Sequence, residues 1–490
     1  MSTRIEKDSM GEMSVPEHAL YGASTQRAVL NFPISGRAVP REIVEAFAHL
    51  KTACARVNND LGVLDERRTR DIVDACGQIL RGLPAHVDGG GFLEHFPVDV
   101  FQTGSGTSTN MNVNEVVANL ACVAHGQPIG RSKDPAWYGD EADGGSGGVH
   151  PNDHVNMGQS SNDTFPTAIH LAAVTAINAR LIPAVAKLAA ALGEKAEQFD
   201  SVVKIGRTHL QDATPIRLGQ EFGGYASQMD HALKRLAQAT DALCELPIGG
   251  TAVGTGINTD ASFGRRVAEK LAAELDAPFR EADNHFEAQH AKDACVEASG
   301  LLKTIAVSLS KIANDIRWMG SGPRCGIGEL KLPAVQPGSS IMPGKVNPVI
   351  CEAVVMVSCQ VVGNDAAITM GGMGGVGSVL DLNVAMPVIA ANLLDSIGLI
   401  AGACDTLTDN CLLGPGEGLQ ADEARANELI EGSLAMCTSL VPVIGYDASA
   451  ALAYEAYRTG KTIRELATEQ GVVPKERLDE LLDPVGMTGA

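Results

Sequence analysis

Aromatic side chains are scarce in this chain, at 4% of 490 residues with two tryptophans. That composition argues against a sandwich of aromatic-rich strands, and the abundance of alanine and glycine suits closely packed helices. Positive charge is also in deficit. Lysine and arginine number 38 against 59 aspartates and glutamates, a net charge of −21. Such a surface repels nucleic acid and anionic membranes. It repels a dicarboxylate as well, so any anion site has to be assembled locally from a few cations and backbone N–H groups. The eleven cysteines form no CxxC pair and follow no regular spacing. They exclude a cysteine-held iron–sulfur centre and read as reduced thiols in a cytosol-like compartment. Residues 1–13 mix Arg4, Glu6, Lys7 and Asp8 and lack an apolar core, so no secretory signal is visible. The apolar run near residues 171–192 contains Asn178, Arg180, Pro183 and Lys187, which makes it a better buried helix than a membrane span. HExxH does not occur, and Gly460-Lys461-Thr462 has Glu455 where a phosphate-binding loop needs glycine. The glycine-rich run 249–256 follows no convincing strand, which weakens a dinucleotide reading.

What is present is helical periodicity. The chain is too long for one hydrophobic core and long enough for two to four domains. In the first hundred residues, turn-rich stretches such as 31–40 alternate with helical patterns at 42–61 and 66–83, and 89–91 marks a loop. A helix is expected after the Gly/Ser/Thr run 104–109, reaching Ala124. Residues 126–148 are rich in Gly, Asp and Pro and read as a surface excursion. Long stretches of 3.6-residue periodicity then occupy 166–199, 218–243, 261–275, 285–319, 347–370 and 384–412. Ser161, Asn162 and Asp163 signal a helix start with Pro166 in its first turn, and Pro183 predicts a kink. Such helices argue for an elongated bundle. Residues 320–344 read as a mobile loop, and short helices follow Gly414. The expected organisation is a mixed, mostly helical segment 1–150, a central long-helix bundle 151–413 and a small helical segment 414–490.

Four polar segments stand out. Gly104-Ser105-Gly106-Thr107-Ser108-Thr109 precedes a helix start and offers N–H groups and hydroxyls to an anion, although an ordinary cap reads the same way. His150-Pro151-Asn152-Asp153 runs into Gln159-Ser160-Ser161-Asn162, again either a cap or a ligand site. His150 and His154 are four apart, but Pro151 argues against a helix and no third ligand is in sight, so no metal is expected. Lys204 to Pro215 places His209 between Thr208 and Gln211 in a non-helical stretch. A lone histidine is usually structural, yet its polar neighbours favour proton exchange. Gly338-Ser339-Ser340-Ile341-Met342-Pro343-Gly344-Lys345-Val346-Asn347 leads into a helix bearing Glu352. Its lysine can hold a carboxylate and its N–H groups an oxyanion, and it is too particular for a surface turn.

The last segment resembles the GSSxMPxKxN signature of the fumarase/aspartase superfamily. The other three segments follow in the family order, and the likeness to class II fumarases extends from Met10-Gly11-Glu12 to Ile444-Gly445-Tyr446-Asp447. Gly344 is similar to fumarases, where aspartases usually carry alanine. The resemblance implies a mainly α, three-domain subunit whose central bundle forms a tetrameric core, with active sites shared by three subunits of a homotetramer. It implies reversible hydration of fumarate to L-malate, with a small dicarboxylate as the only partner besides the other subunits, no cofactor, no metal and a cytoplasmic location. Ser339 matches the base that removes the C3 proton, leaving an aci-carboxylate. Lys345, Asn347, Thr107, Ser160, Ser161 and Asn162 match groups gripping the carboxylates. His209 matches the residue of the acid step, with Glu352 as its carboxylate partner. Thr208, Ser105 and Ser340 match further binding positions, and His150, Asn152 and Asp153 a second anion site. Two departures bear on that second site. Gly147-Gly148-Val149 stands where a basic residue is common, with Arg131 or Lys133 as substitutes, and Met157-Gly158 replaces a frequent Lys-Ser pair. Aspartate ammonia-lyase or another lyase of the superfamily, and a non-catalytic crystallin-like structural homologue, are the alternatives.

Overall fold

The structure, a computed structural model, describes residues 2–83, 91–140 and 144–489. The loop expected at 89–91 lies outside the described residues except for Gly91, as do residues 141–143 of the expected excursion. The fold is mainly α: long helices carry the chain, and among the described residues the strands form only two-stranded sheets. An antiparallel hairpin, Thr3–Asp8 with Gly11–Pro16, opens the chain where no strand was expected.

The chain divides into two compact units. One comprises Met1–Ile182, Arg235–Lys303 and Gln360–Leu399; the other Pro183–Lys234, Thr304–Cys359 and Ile400–Ala490. Each passage from one to the other falls inside a helix: Ile182–Gln198, Leu218–Leu243, Asp293–Met319, Val349–Gly372 or Met386–Leu407.

In the first unit, Arg41–Asp60 buries Ile43, Phe47, Leu50, Cys54 and Val57, the stripe expected of a helix half-facing a core. The helix Thr107–Ala124 is buried almost throughout from Thr109 to Cys122, polar residues included. Several of those polar groups are paired, although the Asn112 and Asn114 amide oxygens find no partner among the described residues. Fully buried Glu115 accepts the N–H groups of Gly22, Ser24 and Thr25 and the Thr25 hydroxyl. In the second unit, Ile205 packs into a cluster with Ile430, Met436, Leu440, Leu452 and Leu466, so the C-terminal helices hold a hairpin that matters below.

Several helix boundaries differ from expectation for identifiable reasons. The stretch expected at 166–199 begins at Ser161, so Pro166 lies in the second turn, not the first. It then widens into a π turn, Ile177–Leu181, immediately before Pro183. Proline 183 has no N–H for the Ala179 carbonyl and its ring crowds that carbonyl, and the wide turn accommodates both. The stretch expected at 285–319 breaks between His290 and Asp293. There the buried Lys292 ammonium donates to the carbonyls of Ala288 at 2.7 Å and Ala291 at 2.5 Å, ending the first helix. The last long helix, Met386–Leu407, also closes in a π turn, Thr408–Leu412.

By length and composition, Ser161–Gln198, Val349–Gly372 and Met386–Leu412 would each suffice to cross a membrane, including the stretch expected to be a poor span. In the first and third, 67% of the most apolar window is buried, as expected of core helices. In Val349–Gly372 only 33% is, which leaves Met356, Val362 and Met370 exposed.

Candidate functional site

Two helix starts meet in the first unit. Thr107 and Ser161 are the first residues of their helices, and their hydroxyls lie 2.7 Å apart. Ser105 extends the chain of hydroxyls, 2.9 Å from Thr107. The second helix is closed by a capping box: the Ser160 hydroxyl accepts the Asn162 N–H, and Asp163 accepts the Ser160 N–H. Each helix brings the positive end of its dipole to these hydroxyls, an arrangement suited to a carboxylate.

The local sequence enforces this meeting. Gly106 has φ +73°, and a Cβ there would fall 2.0 Å from the Phe165 ring. At Gly104 a Cβ would lie 1.9 Å from the Val384 carbonyl, while the Met386 N–H donates to Gly104 at 3.0 Å. Asn162 donates its amide to the Ala252 carbonyl at 2.8 Å. The buried Asp163 carboxylate accepts the N–H groups of Gly249 and Thr251, at 3.2 and 2.9 Å. The glycine-rich run 249–256 thus serves the helix start, not a nucleotide. Burial outweighs those hydrogen bonds and pushes the Asp163 carboxyl up to about 7.

His150 caps a single π turn, Pro151–Val155, where no helix was expected. Its Nδ1 accepts the Asp153 N–H at 3.1 Å, and His154 Nδ1 accepts the His150 N–H at 2.9 Å. Burial holds both imidazoles below their ordinary range, His154 at about 4. Asn152 and Asp153 are exposed. Of the two substitute cations, Lys133 is paired with Glu115 at 2.9 Å and Arg131 with Asp134 at 3.1 Å. Arg68 instead reaches Gly148, donating to its carbonyl at 3.0 Å.

In the second unit, His209 sits at the tip of the hairpin Val203–Thr208 and Gln211–Arg217, one residue past Thr208. His209 and Leu210 form the two-residue turn with φ of +58° and +59°. Such a turn normally takes Asn-Gly, because side-chained residues resist positive φ. Both are exposed, and the hairpin base is anchored below them. Buried Glu329 pairs with Arg207 at 2.8 Å and with buried Lys204 at 3.4 Å.

The 338–347 loop closes at its neck. A Cβ on Gly338 would fall 2.1 Å from the Lys345 carbonyl, and the Asn347 amide donates to the Gly338 carbonyl. Inside it, the Ser339 hydroxyl oxygen accepts two backbone N–H groups, Met342 at 2.9 Å and Ile341 at 3.3 Å. Ser340 and Lys345 are exposed, and Lys345 and Asn347 line a cavity of about 630 Å³ with Arg317, Trp318 and Lys331. Glu352 stands exposed in the first turn of Val349–Gly372. No hydrogen bond or ion pair joins it to His209 within the described residues of one chain. Nor does any group of three His, Cys, Asp or Glu among them lie where it would hold a metal ion.

Two buried groups escaped the sequence reading. In the sequence Asp163 reads only as part of a cap. Lys51 lies on the apolar stripe of Arg41–Asp60, and that position was its one visible signal.

Known proteins share this sequence and fold. A family profile described as Lyase matches residues 11–363, and one described as Fumarase C C-terminus matches residues 436–489. The chain is 49% identical to "Fumarate hydratase class II" of Nitrosomonas europaea over 485 residues, covering 99% of both chains. It is also 49% identical to "Fumarate hydratase 1, mitochondrial" of Arabidopsis thaliana, over 100% of this chain and 93% of that one. The crystal structure of a recombinant class II fumarase from Schistosoma mansoni superposes with a TM-score of 0.90 at 37% identity, covering 99% of each chain.

Proposed function

The chain belongs to the class II fumarate hydratase family, and from that membership and the geometry of its loops we infer that it hydrates fumarate to L-malate and catalyses the reverse. The observation that carries the reading is the Ser339 hydroxyl, which already receives two N–H groups. An ordinary serine is far too weak an acid to serve as a base, and donors aimed at its oxygen stabilise the alkoxide.

In the malate direction, Ser339 takes the C3 proton, and the electron pair delocalises into the adjacent carboxylate as an aci-carboxylate. Lys345 and Asn347 from the loop, with Thr107, Ser160, Ser161 and Asn162 from the helix starts, hold the two carboxylates and the added charge. Ser105, Thr208 and Ser340 complete the binding surface. The C2 hydroxyl accepts a proton through a water held by His209 and departs as water, leaving the double bond. Glu352 is the carboxylate partner of His209 in this reading. The separation of Glu352 from His209 within one chain supports a site completed by other subunits. So do the exposed apolar side chains of Val349–Gly372, and we propose a homotetramer with each site shared by three chains. His150, Asn152 and Asp153 form a second anion site in this proposal, the cytoplasm is its location, and segments 1–150, 151–413 and 414–490 are its domains.

The test is ultraviolet absorbance of purified protein with L-malate or with L-aspartate, since both reactions create the conjugated double bond of fumarate. A rise with malate alone is expected. A rise with aspartate alone means an ammonia-lyase, and no rise with either discards the hydratase reading.

A further inference from the structure

Beneath the two helix starts lies a cation with no carboxylate beside it. Lys51 is 0% exposed. Its ammonium donates to Asn110 Oδ1 at 2.8 Å, Gln159 Oε1 at 2.8 Å and Asn156 Oδ1 at 3.1 Å. Three acceptors use all three of its protons. Among the described residues no carboxylate is within ion-pair distance, although Asp163 favours the charged form from farther away. Burial lowers the ammonium to about 8, which leaves it charged at neutral pH. A buried charge met by neutral amides and, 5.8 Å away, by the face of the Phe47 ring is a costly arrangement, and an apolar side chain of similar volume would serve the core better.

The three amides belong to the segments that form the site. Asn110 is one turn into the helix that begins at Thr107, and Gln159 immediately precedes the cap Ser160. Asn156 bridges them: it accepts the Asn110 amide at 3.1 Å and donates to the Gln159 carbonyl at 3.1 Å. The Thr164 hydroxyl, one turn into the second helix, closes the circuit on Asn110 at 3.3 Å.

We propose that Lys51 is a positioning residue for the dicarboxylate. Through Asn110, Asn156 and Gln159 its ammonium fixes the spacing of the helix starts that carry Thr107 and Ser161, and it surrounds them with positive charge in an otherwise acidic chain. The proposal rests on the hydratase reading for the identity of the ligand. Both carboxylates are already present in the substrate, so loss of Lys51 weakens ground-state binding as well as the transition state, and KM rises while kcat changes less.

The experiment compares wild type, Lys51→Met, Lys51→Gln and Gln159→Leu in L-malate turnover and, independently of turnover, in binding of the unreactive dicarboxylate succinate by calorimetry. For Lys51→Met, KM and the succinate Kd are expected to rise about tenfold or more, with kcat falling less than about threefold. Lys51→Gln, whose amide still donates to two of the oxygens, recovers part of the affinity; a residue serving core stability alone moves the unfolding temperature and leaves this split untouched. Lys51→Met protein that folds and binds succinate within about twofold of wild type overturns the proposal. Should that variant not fold, Gln159→Leu decides, because Gln159 is only half-buried: unchanged succinate binding overturns the proposal and a rise of about threefold supports it. Wild-type protein that binds succinate but leaves L-malate untouched removes the hydratase reading, and the succinate series still decides for Lys51.

Discussion

The Thr107 and Ser161 hydroxyls are hydrogen-bonded to each other at 2.7 Å, each on the first residue of its own helix. Two positive helix ends thereby meet, a local concentration of positive potential on a chain of net charge −21.

Replacing Thr107 by valine keeps the shape and removes the hydroxyl shared by Ser105 and Ser161. Loss of a hydrogen bond to a charged ligand is worth about 1.5–3 kcal/mol. The expected outcome is a KM for L-malate raised about ten- to a hundredfold with the unfolding temperature little changed. Steady-state kinetics beside a thermal melt read both.

Ser339→Ala removes the oxygen on which the Ile341 and Met342 N–H groups converge. Turnover is expected to fall by about three orders of magnitude or more. Succinate binding, assembly and thermal stability stay near wild type. Wild-type turnover in this variant would take Ser339 out of the mechanism.

Leu210 holds a positive φ and is 67% exposed, so it gives the hairpin strain with little packing in return. Asparagine tolerates that conformation better. Leu210→Asn is expected to stabilise the protein by up to about 1 kcal/mol, read as a higher denaturant midpoint. If the tip also packs on a neighbouring subunit, activity falls in the same variant, and the two readouts separate.

Stability has an acid limb with a stated cause. Burial holds His170 at about 4, with its Nδ1 2.7 Å from the Glu245 carbonyl. Its unfolded value is near 6.5. Between these values the unfolded chain binds the additional proton, so stability rises with pH from about 4 to about 6.5 and is flat above for this group. His170→Gln should flatten that rise in urea titrations across the window. An unchanged slope would assign the acid limb to other groups.

Prolonged dialysis against a strong chelator is expected to leave L-malate turnover intact. No described cluster offers three metal ligands, and the steps assigned to Ser339 and His209 use none. Activity lost to the chelator and restored by iron would overturn the class assignment.

Much of this could be read from the residues. The 3.6-residue period located Leu218–Leu243 to the residue, because a long amphipathic helix repeats its signal many times over. Its failures were local. The break at Lys292 rests on one buried ammonium satisfying two carbonyls, and no periodicity records that. The 3–16 hairpin is short and mostly exposed, so little alternation marks it. Ser339 and Ser161 were conspicuous as polar residues among glycines. Lys51 and Asp163 were not, because a burial partner is a property of the fold. Glu352 and His209, which the sequence reading pairs, share no hydrogen bond or ion pair among the described residues of one chain.

The way the chain passes between its units inside helices constrains its birth as much as its final form. The unit that begins at the N-terminus also needs residues 360–399. On the ribosome it therefore waits, unfinished, until most of the polypeptide has been synthesised. Its early helices meanwhile carry apolar faces whose partners do not yet exist, and such faces invite aggregation. A fragment ending near residue 182 would inherit that vulnerability permanently. Dividing this protein for separate expression is expected to yield insoluble halves.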